Sequence, residues 1–373
     1  MGTGDGLLLR LRLPGGTVSV AGLLAVADVA EQYGNGVVEF SARANLQIRG
    51  LNPIGVKPAS DLLTCAGLVG ADSGRNVVVA PLTGHDPTAL VDLSALTQLA
   101  TELLSSTASL RGLPPKFAVV LDDGGLASTR RLSADMCFGA VMTDDGEVVM
   151  QLTLGHALAH AEAPIPCLSL TDVPRVLSVG AQLCAANEKR MGELVDRDGF
   201  ARLMASLASG VNVRWRDTLV QRRFSAPLGV LNHRTNGYAN VGGAPLLGRC
   251  SPTMLRSLAM TAQSTSSLVR LTPWRGVVLL EVAQERVAET LSGLERAEFS
   301  SDPANPIHLI SACAGLPGCR SSRVDTISAA RDLLDGSSPI TTTIHLSGCE
   351  KRCGADAERV MVANDRGLFR GEQ

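Results

Sequence analysis

The chain has 373 residues, which suits two or three packed units better than a single core. Hydrophobic residues make up 45% and charged residues 19%, with a formal net charge of -2, so composition gives no support to a nucleic-acid partner. Aromatics are only 3%, which leaves Leu, Val and Ala to build the interior.

No apolar run approaches the roughly 18 residues of a membrane-spanning helix, the longest being FAVVL and GVVLLEVA. The opening MGTGDGLLLRLRLPGG lacks a basic region followed by an apolar block and a small-residue cleavage site. The expectation is a cytoplasmic protein with no membrane partner. Nine cysteines, an odd number spread thinly, argue against a secreted disulfide framework and for reduced thiols available to a metal.

Along the chain, a repeat comes first. LPGGTVSVAGLLAVADVAEQYGNGVVEFSARANLQI (13 to 48) matches LLGRCSPTMLRSLAMTAQSTSSLVRLTPWRGVVLL (246 to 280), with Gly16 over Gly248, Ser19 over Ser251, Leu23 over Leu255 and Ala27 over Ala259, an offset of 232. Each copy reads as a strand, a helix of about three turns with Ser19 or Ser251 as N-cap, and a second strand. A fainter echo pairs TCAGLVG (64 to 70) with ACAGLPG (312 to 318) as small-residue loops leading into helices, each followed later by a β segment, KFAVVLDD or RVMVAND. The chain therefore reads as two diverged copies of one α+β unit.

Between the copies, residues of about 150 to 225 read as a helical bridge, with TDVPRVLSVGAQLCAANEKRMGELV carrying an N-cap candidate and an early proline. Its HALAH sets His156 and His160 one helical turn apart, but no third ligand is spaced beside them, so ordinary structural histidines are the plainer reading. The basic cluster RWRDTLVQRRF (214 to 224) reads mostly as solvated surface.

SACAGLPGCR and HLSGCEKRC then bring Cys313, Cys319, Cys349 and Cys353, in the pattern Cys-x5-Cys, spacer, Cys-x3-Cys. On a helix the last two would share one face. Structural zinc prefers tight Cys-x2-Cys knuckles, which neither pair has. Cysteine as a small buried hydrophobe accounts for Cys65, Cys137, Cys167, Cys184 and Cys250. Around the other four, glycines at 315, 318, 348 and 354 let backbone approach a bulky inorganic core, and Arg320, Arg323, Lys351 and Arg352 suit a net-negative one. A 4Fe-4S cluster fits best.

Cys-x5-Cys followed by Ser-Gly-Cys-x3-Cys resembles the cluster signature of the sulfite and nitrite reductase family, and LRLRLPGG and SARANLQIRGL are similar to that family's first half. The resemblance implies an α+β, pseudo-symmetric, duplicated fold. A ferredoxin-like parachute domain would combine residues 1-52 and 226-285, with a first α+β lobe and helical bridge at 53-225 and a cluster lobe at 286-373. It also implies a 4Fe-4S cluster on Cys313, Cys319, Cys349 and Cys353, which in the reductases lies against sirohaem, the last cysteine bridging to the haem iron. Arg43, Arg75 and Lys116 match positions where the reductases meet the tetrapyrrole and the bound anion with cations, and arginine's forked guanidinium suits carboxylates.

Where the reductases follow that lysine with a second one two residues later, this chain has Ala118. Where they commonly carry Asn between the last two cysteines, it has Glu350-Lys351-Arg352, and it is short for an assimilatory reductase. In these respects it resembles the branch of the family that acts in aerobic cobalamin biosynthesis. For that branch the tetrapyrrole, precorrin-3A, is the substrate; dioxygen hydroxylates C20 and a ring A acetate closes a γ-lactone. The resemblance implies an external electron donor, an NADH-linked reductase or a ferredoxin, and a mononuclear non-haem iron for which His85, His308 and His345 are candidate ligands. Sirohaem-dependent reduction of sulfite or nitrite stays open as the second reading.

Overall fold

The computed structural model describes residues 2–68, 76–155, 165–217, 225–336, 338–355, 357–364, 366 and 369–372. The first half comprises β1 (Leu7–Leu11), β2 (Thr17–Val18), α1 (Val20–Gln32), β3 (Val38–Phe40), β4 (Leu46–Leu51) and α2 (Val56–Cys65). A first lobe follows with β5 (Asn76–Val79), α3 (Ser94–Ser106), β6 (Ala118–Asp122), β7 (Met136–Met142), β8 (Val148–Leu154), β9 (Ile165–Leu168), α4 (Val173–Asn187), α5 (Met191–Asp198), α6 (Phe200–Leu207) and β10 (Arg214–Arg216). The second half has β11 (Gly229–Asn232), β12 (Tyr238–Pro245), β13 (Arg249–Cys250), α7 (Pro252–Ser264), β14 (Leu268–Leu271), β15 (Val277–Ala283), α8 (Val287–Arg296) and β16 (Phe299–Ser300). The last lobe contains β17 (Ile310–Ala312), the short turn α9 (Gly315–Gly318), α10 (Thr326–Asp335), β18 (Ile344–Ser347), β19 (Arg359–Ala363) and β20 (Phe369–Glu372).

The repeat read from sequence is carried by local physics. Ser19 Oγ accepts the Gly22 amide at 3.0 Å and Ser251 Oγ accepts the Met254 amide at 3.2 Å, so each hydroxyl satisfies one orphan donor at a helix start. Gly16 and Gly248 sit just before these caps with φ of 72° and 68°, in the left-handed region. At Gly16 a Cβ would meet the Leu271 carbonyl oxygen at 2.7 Å.

The halves exchange their short strands. β2 pairs with β14 of the second half and β13 pairs with β3 of the first. α1 and α7 bury Leu23, Val26, Ala27 and Ala30 with Leu255, Leu258, Ala259 and Ala262 in one core, so the two halves are a single body. α2 and α8 join that core through Ala59, Leu63 and Leu294, carrying the halves past the expected limits at 52 and 285. Their apolar faces are covered there.

Two further expectations change. Thr64 and Cys65 end α2 whereas Ala312 ends β17, so the likeness of 64–68 to 312–316 is one of small-residue composition, not of structure. The bridge of 150 to 225 does hold α4, α5 and α6, but β9 and β10 extend the lobe's sheet, whose order is β10-β9-β8-β7-β6-β5. Ile165–Leu168 is buried at every position, and such a short apolar run has no period to mark it as strand or helix.

The two lobes share one pattern of strand directions. β5, β6 and β7 are parallel with β8 antiparallel, and β17, β18 and β19 are parallel with β20 antiparallel. Among the described residues, no helix is long and apolar enough to cross a membrane.

Candidate functional site

The cysteines lie where the parallel strands of the last lobe end. β17 and β18 finish side by side, Ala312 opposite Leu346; Cys313 follows the first strand directly and Cys349 follows the second after Gly348. The Gly348 amide donates to the Cys313 sulfur at 3.2 Å, the Cys313 amide to Leu346 O at 3.0 Å, and the Arg323 amide to Gly348 O at 2.9 Å. A Cβ at Gly348 would stand 1.8 Å from Ser322 Oγ, so this approach requires glycine. Cys319 closes its own turn by donating its amide to Gly315 O at 2.7 Å. Cys349 and Cys353 lie in turns rather than on a helix: the Arg352 amide donates to Cys349 O at 3.3 Å, and Arg352 itself is left-handed at φ 46°.

All four cysteines are free thiols, three half-buried and Cys353 exposed. They converge. Burial, then the charges of Cys349, Cys313 and Cys319, push the Cys353 thiol up, against the pull of Lys351. Yet no three of the four sulfurs lie within 4.8 Å of one another, whereas a tetrahedral zinc with bonds of about 2.3 Å would hold them about 3.8 Å apart. Four cysteines on two loops could hold an inorganic cluster.

A clamp from the first half holds this lobe. The Arg49 guanidinium, 3% exposed, donates to Gly318 O at 2.6 Å, one residue before Cys319, while pairing with Asp5 at 2.9 Å and Glu39 at 3.1 Å. The Gly4 amide donates to the same carbonyl at 3.2 Å. Burial acts to raise the Asp5 carboxyl, but the hydrogen bonds from Arg49 and Thr3 bring it below its ordinary value.

At the other end of β1 the surface is basic. Arg43 is half-buried in the turn between β3 and β4; burial lowers its pKa, as do Arg190, Arg10 and Arg12, with Asp135 opposing. It forms no ion pair among the described residues. Arg12 donates to Pro115 O at 3.2 Å, beside exposed Lys116, so the structure brings Arg43 and Lys116 to one side of the molecule. The eight residues from Asp5 to Arg12 span about 20 Å as extended chain, so one strand reaches from the cysteine lobe to the basic turn.

Ala118 opens β6 at 1% exposure, its methyl in an apolar patch with Val78, Val120, Ala134 and Cys137. Its amide donates to Asp135 at 2.8 Å, and that carboxylate also binds Arg190 at 2.7 Å and the Met191 amide at 2.8 Å. A cavity of about 460 Å³ lies elsewhere, between α3 and the turn at Gly15, and is lined by neither the cysteines nor the candidate cations.

Other expected residues divide. Arg75, His156 and His160 lie outside the described residues. Arg214 pairs with Glu147 at 2.6 Å, as a solvated cluster would. His308 sits in the turn Pro306–Leu309, and His345 in β18 meets Ser311 Oγ at 2.9 Å, its pKa pushed down to about 4 by burial and then by Arg275. The three histidines are not brought together: His85 stands instead beside His233 and Glu281. Sequence reading missed Arg10 and Arg12, although the alternation in LRLRLPGG carries both, and it missed Arg49, whose partner is 269 residues away.

Known proteins resemble this chain in sequence and in fold. The nitrite/sulfite reductase ferredoxin-like half domain matches residues 1–64 and 232–297. A precorrin-3B synthase from Sinorhizobium sp is 29% identical over 362 residues, covering 95% of this chain and 76% of that protein. The sulfite reductase [ferredoxin] 2 of Mycolicibacterium paratuberculosis is 24% identical over 96% of this chain and 68% of its own length. The solved structure of the Mycobacterium tuberculosis NirA protein superposes with a TM-score of 0.81 at 20% identity, covering 98% of this chain and 73% of that one.

Proposed function

We propose that this chain, an enzyme whose two half domains match the nitrite/sulfite reductase ferredoxin-like half domain, oxidises a tetrapyrrole, precorrin-3A, with dioxygen to give precorrin-3B. The observation that carries the choice is Ala118. Where the family's reductases place a second lysine beside the oxyanion, this chain has a buried methyl group on an apolar strand face. Reduction of sulfite or nitrite adds many protons at one oxyanion, and losing a cationic donor there removes transition-state stabilisation. The relatedness to a precorrin-3B synthase over 95% of the chain supports the same reading.

In this reading the basic side binds substrate. Arg43, Arg75 and Lys116 meet the carboxylates of the tetrapyrrole, with Arg43 free of any competing ion pair among the described residues. Arg12 and Arg10 add to the field. Asp135 fixes the Ala118 amide and Arg190, which holds the start of β6 next to Lys116. A 4Fe-4S cluster held by Cys313, Cys319, Cys349 and Cys353 supplies single electrons for oxygen activation when bound. One oxygen atom enters at C20 and the other leaves as water, with the electrons drawn from an external donor. A cytoplasmic location belongs to the same proposal.

The test is to supply anaerobically isolated protein with precorrin-3A and a reduced donor, then admit dioxygen. The expected outcome is lactone product, with neither sulfite nor nitrite reduced at a useful rate by the same donor. Brisk sulfite or nitrite reduction and no oxidation of precorrin-3A would favour the reductase reading, for which the mycobacterial relative is the support.

A further inference from the structure

We propose that the cavity of about 460 Å³ between α3, the turn at Gly15 and β14 is a binding site for a small organic monocarboxylate, held by the Arg270 guanidinium. Gly15 and Thr17 come to it from the first half, Val79 and α3 from the first lobe, and Arg270 from the second half. Its volume falls within the roughly 300–1,000 Å³ of small-molecule sites. An occupant would touch all three units at once.

The charge in this cavity is anchored and unspent. Arg270 Nη1 donates to Pro81 O at 3.1 Å and to Thr83 O at 3.0 Å, which fixes the guanidinium plane. Nε is buried without an acceptor, Nη2 has none either, and Arg270 forms no ion pair among the described residues. Nε and Nη2 together are the edge with which arginine grips both oxygens of a carboxylate. Arg49 shows that grip within this chain, its Nε and Nη2 each 2.9 Å from an oxygen of Asp5. A shielded guanidinium left without an anion carries a desolvation cost that an anionic ligand would offset. Burial lowers the Arg270 pKa, while Asp92, Asp123 and Glu281 oppose from a distance, and His85 feels the same positive charge. Those three carboxylates weaken the pull on an anion and so disfavour one of multiple charge.

The rest of the lining is apolar or already bonded. Thr97 Oγ1 donates to Leu93 O and Thr101 Oγ1 to Thr97 O, both at 2.8 Å, and Thr83 Oγ1 accepts the Leu93 amide at 3.0 Å. A Cβ on Gly15 would meet Thr97 Cγ2 at 3.4 Å and Val79 Cγ1 at 3.8 Å, so methyl groups face this turn. Thr17 pairs opposite Arg270 in the ladder of β2 with β14, on the same face, and offers a second donor. At the rim, exposed Glu102 accepts Gln98 Nε2 at 2.9 Å and would repel a second negative charge. A forked cation, one hydroxyl, methyl walls and an acidic rim favour a singly charged carboxylate with a compact apolar body over phosphate or a polycarboxylate. The cavity follows the C-terminal end of β5, whereas Lys116 precedes β6, its parallel neighbour. The site therefore lies at the other end of these strands from the proposed substrate side and does not rest on that reading.

The test titrates para-fluorobenzoate into the full chain as isolated, read by fluorine NMR, with para-fluorobenzyl alcohol as the uncharged probe and inorganic phosphate as competitor. The expected result is saturable binding of the benzoate at one site, at least about tenfold weaker binding of the alcohol, and no displacement by equimolar phosphate. Arg270→Gln should weaken the benzoate by at least about tenfold. Thr101→Trp, which fills the cavity from α3 and leaves Arg270 in place, should abolish binding, whereas Arg43→Gln should bind as the unmodified chain does. The benzoate should raise the melting temperature of the unmodified chain and not that of Thr101→Trp, whose own cooperative melting shows that it folds. No saturable binding, equal affinity for the alcohol, displacement by phosphate, or unchanged affinity in Arg270→Gln and Thr101→Trp would overturn the site. Loss of binding in Arg43→Gln would move the probe to the substrate side and overturn it as well.

Discussion

The two lobes end equivalent strands in opposite chemistry. In the first, β6 ends in a carboxylate closed by the protein itself: Asp122 accepts the Thr129 amide at 2.6 Å, the Gly124 amide at 3.1 Å and Arg130 Nε at 2.8 Å. In the last, the residues after β17 and β18 are thiols, and the protein offers them little, the Gly348 amide on Cys313 being the shortest polar contact. The same strand directions thus support one lobe end closed by hydrogen bonds and one whose loops present four thiols with few polar partners among the described residues. The halves beneath them repeat this lesson on a smaller scale. The offset of 232 that equates Gly16 with Gly248 also equates Arg43 with Arg275; the first faces the basic side, while the second donates to Gly354 O at 3.3 Å beside Cys353.

If the last lobe depends on its cluster, Ser in place of any one of Cys313, Cys319, Cys349 or Cys353 should lose the iron and sulfide and unfold that lobe most readily. Cys65→Ser, exposed at the end of α2, should keep both. Metal analysis with hydrogen exchange over β17 to β20 reads the difference, and full iron retention in all four variants would erase the contrast between the lobes.

Arg49→Met sharpens the dependence of the cysteine lobe on the first half. It leaves the half-buried Asp5 without its cation, leaves Glu39 to Arg249 alone and releases Gly318 O, and should cost about 3 kcal/mol in urea unfolding. A loss under about 1 kcal/mol would mean that water replaces the clamp.

The repeat was legible because it is local: a cap, an αL glycine and a helical stripe recurring at one offset. The strand exchange between β2 and β14 was not, since two-residue strands such as Thr17–Val18 have no pattern of their own. Nor was the Arg49 clamp or the meeting of His85 with His233, 148 residues apart, because nothing in a linear sequence marks a partner made by folding. The boundary at 52 failed for a related reason. α2 follows a turn that reads as a linker, and only tertiary packing assigns it to the first half.

Titration distinguishes the lobes more finely. Burial pushes the Asp123 carboxyl up to about 7, with Asp122 and Asp86 adding and the Gly125 amide opposing. A folded value above the unfolded 3.8 gives stability that is complete below 3.8 and lost as pH rises through about 7. His345 runs the other way: its folded value of about 4 lies under the unfolded 6.5, so its contribution is present above 6.5 and lost as pH falls toward 4. The melting temperature of Asp123→Asn minus that of the unmodified chain should therefore rise between pH 4 and pH 7 and level off above. A flat difference would mean that Asp123 is solvated.

Smallest of all, Ser19→Ala and Ser251→Ala should each cost about 1 kcal/mol, alike in both halves. Chemical denaturation of the pair checks it, and a difference well beyond that size would show that the two caps no longer do equivalent work.

The central proposal, that the four cysteines of the last lobe hold an iron–sulfur core and that the tetrapyrrole arrives as substrate rather than as haem, is tested most directly by anaerobic absorption and EPR spectra of the isolated chain. Its iron, sulfide and haem should be counted on the same sample. The account predicts a broad cluster absorption, an EPR signal on one-electron reduction, about four iron and four sulfide per chain, and no stoichiometric haem. Zinc without sulfide would contradict the cluster, and a sharp Soret band at one haem per chain would contradict the tetrapyrrole's role as substrate.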